Sequence, residues 1–191
     1  MELQDKLDKI EAEINKESFQ SNKGLGNEVG YYVFDYPAEE ELRVRNHLDY
    51  LKKRNNPDIS GFELVIYDLY DIMIDYIEKE GLLEASIEME EEYGMDYLIS
   101  AIVELLQMNL ESNYFTDYIE NNTGEHAVVF VTGVGKIFPF VRSHDILNRL
   151  HQTFDRLPVV LFYPGKYDGQ SLRLFSEFKD DNYYRALPLI T

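Results

Sequence analysis

The chain has 191 residues, with 36 aspartates and glutamates against 18 lysines and arginines, a formal net charge of −18 and no cysteine. Without cysteine, disulfides, zinc-thiolate sites and a cysteine nucleophile are excluded, and so acidic a chain repels the phosphate backbone that nonspecific nucleic-acid binding must neutralise. The charged start Met1–Lys6 lacks a signal peptide's apolar stretch and no apolar run approaches the roughly 18 residues of a membrane span, so a cytoplasmic protein without membrane contact is expected.

Leu3, Leu7, Ile10 and Ile14 recur at helical spacing and predict an amphipathic helix over about residues 2–17. Its apolar stripe must bury itself against the same chain or in a partner's groove. Residues 22–30 read as a loop. Tyr31–Tyr36 reads as an aromatic strand closed by Pro37, and residues 38–54 return to helical spacing through Leu42, Leu48 and Leu51 until Asn55-Asn56-Pro57-Asp58 breaks it. Phe62–Asp68 is a second strand. The stretch from Leu69 to Ile119 is helical with interruptions at Gly81, Gly94 and Asn109, which predicts three or four helices, an insert over 69–122. Ala127–Thr132 and Pro158–Tyr163 are continuous apolar runs, the pattern of strands covered on both faces, with a helix over 143–156 between them. Ser171–Phe178 is open between strand and helical turn, and Tyr183–Leu187 reads as a final edge strand, because Pro188 lacks the donor that a central strand requires. The expectation is one α/β domain over 1–191: a mostly parallel sheet of about four to five strands flanked by helices, with the helical insertion.

In open α/β sheets ligands gather at the carboxyl ends of strands. Asp35 and Asp68 end the first two strands. Gly133, Gly135 and Lys136 follow the third, and Gly165, Lys166 and Asp168 the fourth. If these converge on one crevice, the two aspartates form a site for a hard cation such as magnesium; the competing reading is that strand-end acids cap the following helices. Gly133-Val134-Gly135-Lys136 is too short for a phosphate loop, and Ile137 stands where the magnesium-binding hydroxyl belongs. Gly24, Gly26 and Gly30 precede a strand instead of following one, which reverses the dinucleotide geometry. Arg142-Ser143-His144-Asp145 places a serine, a histidine and an acid side by side. Neighbours at a helix start point apart, so they form no triad with one another. Ser143 reads as an N-cap, leaving Arg142 and His144 as candidates for an anion at that helix start. The four histidines show no metal-ligand spacing.

The charge is unevenly placed: residues 1–122 carry 29 acids and 10 bases, residues 123–191 carry 7 acids and 8 bases. The acidic part is either a solvated surface or a face that docks on a basic partner.

Phe130-Val131-Thr132-Gly133-Val134-Gly135, then Phe138-Pro139-Phe140-Val141-Arg142-Ser143-His144, then the run from Pro158 to Phe175 and the close Lys179–Ala186 form an ordered set of strings. With Asn22–Glu28 and Phe34-Asp35-Tyr36 they resemble the BrxB family of bacterial BREX phage-defence systems. The resemblance implies a core component of a system whose other members include a PglZ phosphatase-like protein, a PglX adenine methyltransferase and a BrxC ATPase. It supplies no catalytic residue, metal or cofactor to carry over. Two functions are therefore expected to compete: a non-enzymatic adaptor that joins other BREX proteins, and a nucleotide- or metal-binding sensor, or degenerate nucleotide hydrolase, using the strand ends.

Overall fold

A computed structural model describes residues 2–21, 30–108, 113–180 and 186–191; for residues 143, 144, 153, 179 and 180 it describes the backbone alone. The sequence strings at 22–28 and 181–185 lie outside the described residues.

Four parallel strands form the centre of the sheet: β1 (Tyr31–Tyr36), β2 (Glu63–Asp68), β3 (Ala127–Thr132) and β4 (Val159–Tyr167), with β7 (Leu187–Pro188) parallel at the edge beyond β1. The order is β2-β3-β4-β1-β7. The predicted parallel sheet is present, and its edge strand is Leu187–Pro188; of the expected Tyr183–Leu187, residues 183–185 lie outside the described residues and Leu187 is the position shared with β7. Beyond it, β4 runs on past Tyr163 and pairs antiparallel with β5 (Leu172–Leu174), which in turn pairs with β6 (Phe178–Asp180). Ser171–Phe178 is thus resolved as a hairpin.

The continuous apolar strands serve two cores by alternation. Val128, Phe130, Val160, Phe162, Phe34 and Tyr36 face one side, where α1 (Leu3–Ile14), α2 (Glu17–Gln20) and α3 (Glu41–Arg54) cover them with Leu7, Ile10, Ile14, Phe19, Val44, Leu48 and Leu51. The stripe of α1 is therefore spent on its own chain, since Leu7, Ile10 and Ile14 are at most 1% exposed. Val129, Val131, Val159, Leu161, Tyr31 and Val33 face the other side.

Between β2 and β3 lie α5 (Leu69–Lys79), α6 (Leu83–Tyr93), α7 (Met95–Leu105) and α8 (Tyr114–Asn122), breaking at Gly81 and Gly94 as expected, while the expected break at Asn109 lies outside the described residues. Asn113 starts α8 through a reciprocal capping box with Thr116. After β3 comes the four-residue helix α9 (Val134–Ile137) and then α10 (Ser143–Thr153). A one-turn helix α4 (Pro57–Ser60) follows α3, with the Asn56 side chain accepting from the N–H groups of Asp58 and Ile59. Helices α5, α7, α8 and α10 supply the second core with Met73, Ile77, Leu98, Ile102, Phe115, Ile119, Ile146 and Leu150. Helix α6 contributes no buried residue.

Candidate functional site

The parallel register aligns Asp68 with Thr132 and Asp35 with Tyr163, so the four carboxyl ends share one edge of the sheet. Strand order then divides that edge. Strands β1 and β2 are consecutive in the chain, yet β3 and β4 stand between them. At about 4.8 Å per strand, the ends carrying Asp35 and Asp68 are separated by about 14 Å. The expected single crevice is two clusters, and a cation shared by Asp35 and Asp68 is ruled out by that spacing. Among the described residues no three histidine, aspartate or glutamate side chains converge.

The first cluster sits on β2 and β3. Asp68 Oδ1 accepts from the backbone N–H groups of Tyr70 and Asp71 at 3.0 and 3.2 Å, which caps α5. Its other oxygen lies 2.6 Å from Lys136 Nζ, and Lys136 also donates to Asp71 at 2.8 Å. Partial burial works to lower the Lys136 ammonium, but the hydrogen bonds it donates to Asp68 and Asp71 outweigh this and hold its pKa above the usual lysine range. Gly133 makes this approach possible. It has φ +78°, and a Cβ there would stand 2.2 Å from Asp68 Oδ1. The cleft over this cluster has a volume of about 290 Å³ and holds Arg45, Lys52 and Lys136 against Asp49, Asp68 and Asp71. Its charges offset one another. Arg45 is bound further by Glu41 at 2.7 Å, and Glu41 also accepts from the Tyr36 hydroxyl. Burial first, then Glu41, pushes the Tyr36 phenol far above its ordinary range.

The second cluster sits on β1 and β4. Lys6, one residue from the buried Leu7 on α1, donates to the Asp35 carboxylate at 2.6 Å and to its carbonyl at 2.8 Å. Asp35 Oδ2 accepts from the Tyr167 backbone N–H at 3.2 Å. A cleft of about 470 Å³ opens beside them, with Lys6, Asp35, Glu39 and Lys166 among its polar groups. Gly165 is fixed by packing, because a Cβ would stand 2.1 Å from the Arg173 carbonyl oxygen of β5. Gly135 packs against Phe175 and Pro164.

Asp168 belongs to neither cluster. It closes the β4–β5 hairpin by accepting from the N–H groups of Ser171 and Gln170 and from the Ser171 hydroxyl. The Ser171 bonds lead in holding its carboxyl at about 2. Arg142 is exposed and takes the N-cap position of α10 with no capping hydrogen bond, so Ser143 is the first helical residue and not the cap. The His144 side chain lies outside what is described, and Arg142 is not among the described residues that line either cleft. His151 stacks on Tyr31 at 3.7 Å, an internal contact.

The partners missed from the sequence are Lys6, Glu41, Arg45 and Asp71. Asp71 carried a signal, since the residue three positions into a helix lies over the cap. The others come from α1 and α3, which sequence order alone does not place over strand ends.

The family profile described as "BREX protein BrxB" matches residues 65–189. A BREX protein BrxB of Bacillus cereus (strain H3081.97) is 44% identical over 98% of this chain and 97% of its own length. Another, from Escherichia coli O9:H4 (strain HS), is 31% identical over 98% of this chain and 92% of its own. A histidine–tRNA ligase of Cytophaga hutchinsonii is 29% identical over 60% of this chain, a match that takes in 24% of the ligase. No solved structure matches.

Proposed function

The chain belongs to the BrxB family of BREX proteins, and from that premise we propose that it is a non-enzymatic adaptor that holds other BREX proteins together in the cytoplasm. The partners are drawn from the PglZ-like, PglX-like and BrxC-like components of the system. One observation carries the reading. At the strand ends Asp35, Asp68, Lys136 and Asp168 are engaged with one another, with Lys6 or with backbone N–H groups, so the residues best placed for chemistry are occupied in holding the fold. A phosphate loop is missing from the sequence, and no helix among the described residues is long and apolar enough to cross a membrane.

The test is retention. A tagged copy recovered from its native host at moderate salt brings down PglZ-like, PglX-like or BrxC-like protein in fixed ratio. Recovery of the chain alone, from cells shown to express all three, overturns the adaptor. The competing nucleotide sensor keeps one support, the cleft of about 470 Å³ with Lys6 and Lys166 on its wall, a size in the range of small-molecule sites. Calorimetry with ATP and magnesium separates the two: heat that saturates and is lost in Lys166→Ala favours the sensor.

A further inference from the structure

Between Lys79 and Lys136 the sequence has no lysine or arginine, while it has acids at Glu80, Glu84, Glu88, Glu90, Glu91, Glu92, Asp96 and beyond. The helices α6 and α7 fall inside this stretch. An acidic helix is ordinarily a solvated one, with its apolar stripe turned into the core. Helix α6 follows that pattern at Met89, which packs against the core, but departs from it at Leu83 and Ile87. Leu83, Ser86, Ile87 and Glu90 recur at helical spacing and line an open groove of about 140 Å³, together with apolar residues of α5 and α7, among them Ile74, Ile77, Leu98 and Ile102, and with Phe140. The stripe is thus formed but not covered: Ile87 is 51% exposed and Leu83 38%. At the joint to α7, Tyr93, Met95 and Tyr97 are exposed as well, with the two tyrosine rings 5.0 Å apart. Glu84, Glu88 and Glu91 form a row along the same helix beside the groove.

Three physical facts fix the occupant. The groove is too small for a drug-sized ligand, which fills about 300–1,000 Å³, and is sized for inserted side chains. Its lining is apolar, so those side chains are apolar. Helix α6 beside it carries only acids, and the nearby bases are Lys79 at the end of α5 and Lys136, which Asp68 and Asp71 already hold, so the rim is acidic on balance, the ligand's flanks are basic and nucleic acid is excluded. An amphipathic helix with apolar residues three and four apart and lysines or arginines on its shoulders meets all three conditions. Resting on the adaptor reading, we infer that the α5–α6–α7 groove is the docking site for a basic amphipathic helix of another BREX component. The apolar insertions supply the contact area, and the glutamate row selects the partner and speeds the encounter.

The experiment compares the wild-type full chain with three variants by pull-down from the native host and by titration of whichever full-length component is retained. Ile87→Asp places a charge in the groove. Glu88→Lys with Glu91→Lys reverses the rim. Glu2→Lys with Glu17→Lys makes the same change in net charge on exposed residues elsewhere. Circular dichroism confirms that all four chains are folded. The inference expects affinity to fall by about thirtyfold in Ile87→Asp, the size of a hot-spot loss. It also expects a fall with added salt and in the rim reversal, and no change in the Glu2/Glu17 control. A synthetic peptide carrying the partner's basic amphipathic helix then competes for the wild-type chain. Equal retention by wild type and Ile87→Asp overturns the groove and leaves the adaptor standing. Retention of nothing by the wild-type chain overturns both. Equal loss in the control shows a general charge effect and also overturns the groove.

Discussion

The carboxyl edge of the sheet and the α5–α7 face are both rich in acids, and they use them in opposite ways. At the edge Asp68 meets Lys136, Asp35 meets Lys6, and Asp168 takes backbone N–H groups. Each acid ties a strand end to the helix or hairpin beside it. On the α6 helix the acids meet no base on their own helices and border apolar side chains that remain in water. Charge that is matched within the chain stabilises the fold, and charge that is unmatched is available to something outside it. Substitutions at the edge are therefore read as stability, and substitutions on the helical face as binding.

The largest expected effect is at Gly165. A Cβ at 2.1 Å from a backbone oxygen has no flexible neighbour to displace, so Gly165→Ala shifts the β5 hairpin at a cost of about 2–3 kcal/mol. For a chain of this size the melting temperature falls by roughly 4–12 °C, which calorimetry reads; an unchanged melt means that the hairpin is not anchored to β4 at this point. Next is Asp68, which acts as cap and as ion partner. Asp68→Ala costs about 1–2 kcal/mol through the lost cap and the loosened lysine. Asp68→Asn keeps an acceptor for Tyr70 and Asp71 and costs less than the alanine. Urea midpoints for the pair divide capping from charge, and equal losses would assign the effect to charge.

A smaller effect is the acid limb at Asp168. Its folded pKa of about 2 lies below the ordinary 3.8, so its contribution is complete above the unfolded value and is lost as pH falls towards 2. Unfolding of wild type and Asp168→Asn compared across that window converges at the acid end; a gap that persists at low pH contradicts the hairpin role. The smallest effect is on the other face. Ile87→Asp changes stability by no more than about 0.5 kcal/mol, as at an ordinary surface position. If it unfolds the chain instead, α6 is a core helix and the contrast between the two regions fails.

The strands were legible because six-residue runs such as Ala127–Thr132 are apolar on both alternations, which only a sheet buried on both faces requires. The hairpin was not. The apolar run ends at Tyr163, and yet β4 passes on through Pro164-Gly165, because the glycine admits the Arg173 carbonyl and the strand changes from parallel to antiparallel partners there. The candidate residues lie on the expected edge, but not in one crevice. Consecutive strands are usually neighbours in space, and nothing local to Asp35 or Asp68 records that β3 and β4 separate them. Arg142 and Lys166 remain exposed surface groups. The acidic stretch was legible as composition, while the open stripe beside it was not, because Leu83 and Ile87 have the spacing of residues that would be buried.

The placing of β1 has a consequence in time. Its two neighbours are β4, at residues 159–164, and β7, at 187–188. A chain emerging from the ribosome therefore makes β1 early and has no partner to offer it until the sequence beyond residue 159 has been synthesised. β2 and β3 can pair in the interval, but the strand that seats α1 and α3 must wait. A topology so dependent on distant pairings folds slowly for its size, and the apolar underside of α1 is uncovered throughout the delay. Ribosome-bound chains halted before β4 are expected to expose that surface to chaperones, and chains released from the ribosome to conceal it.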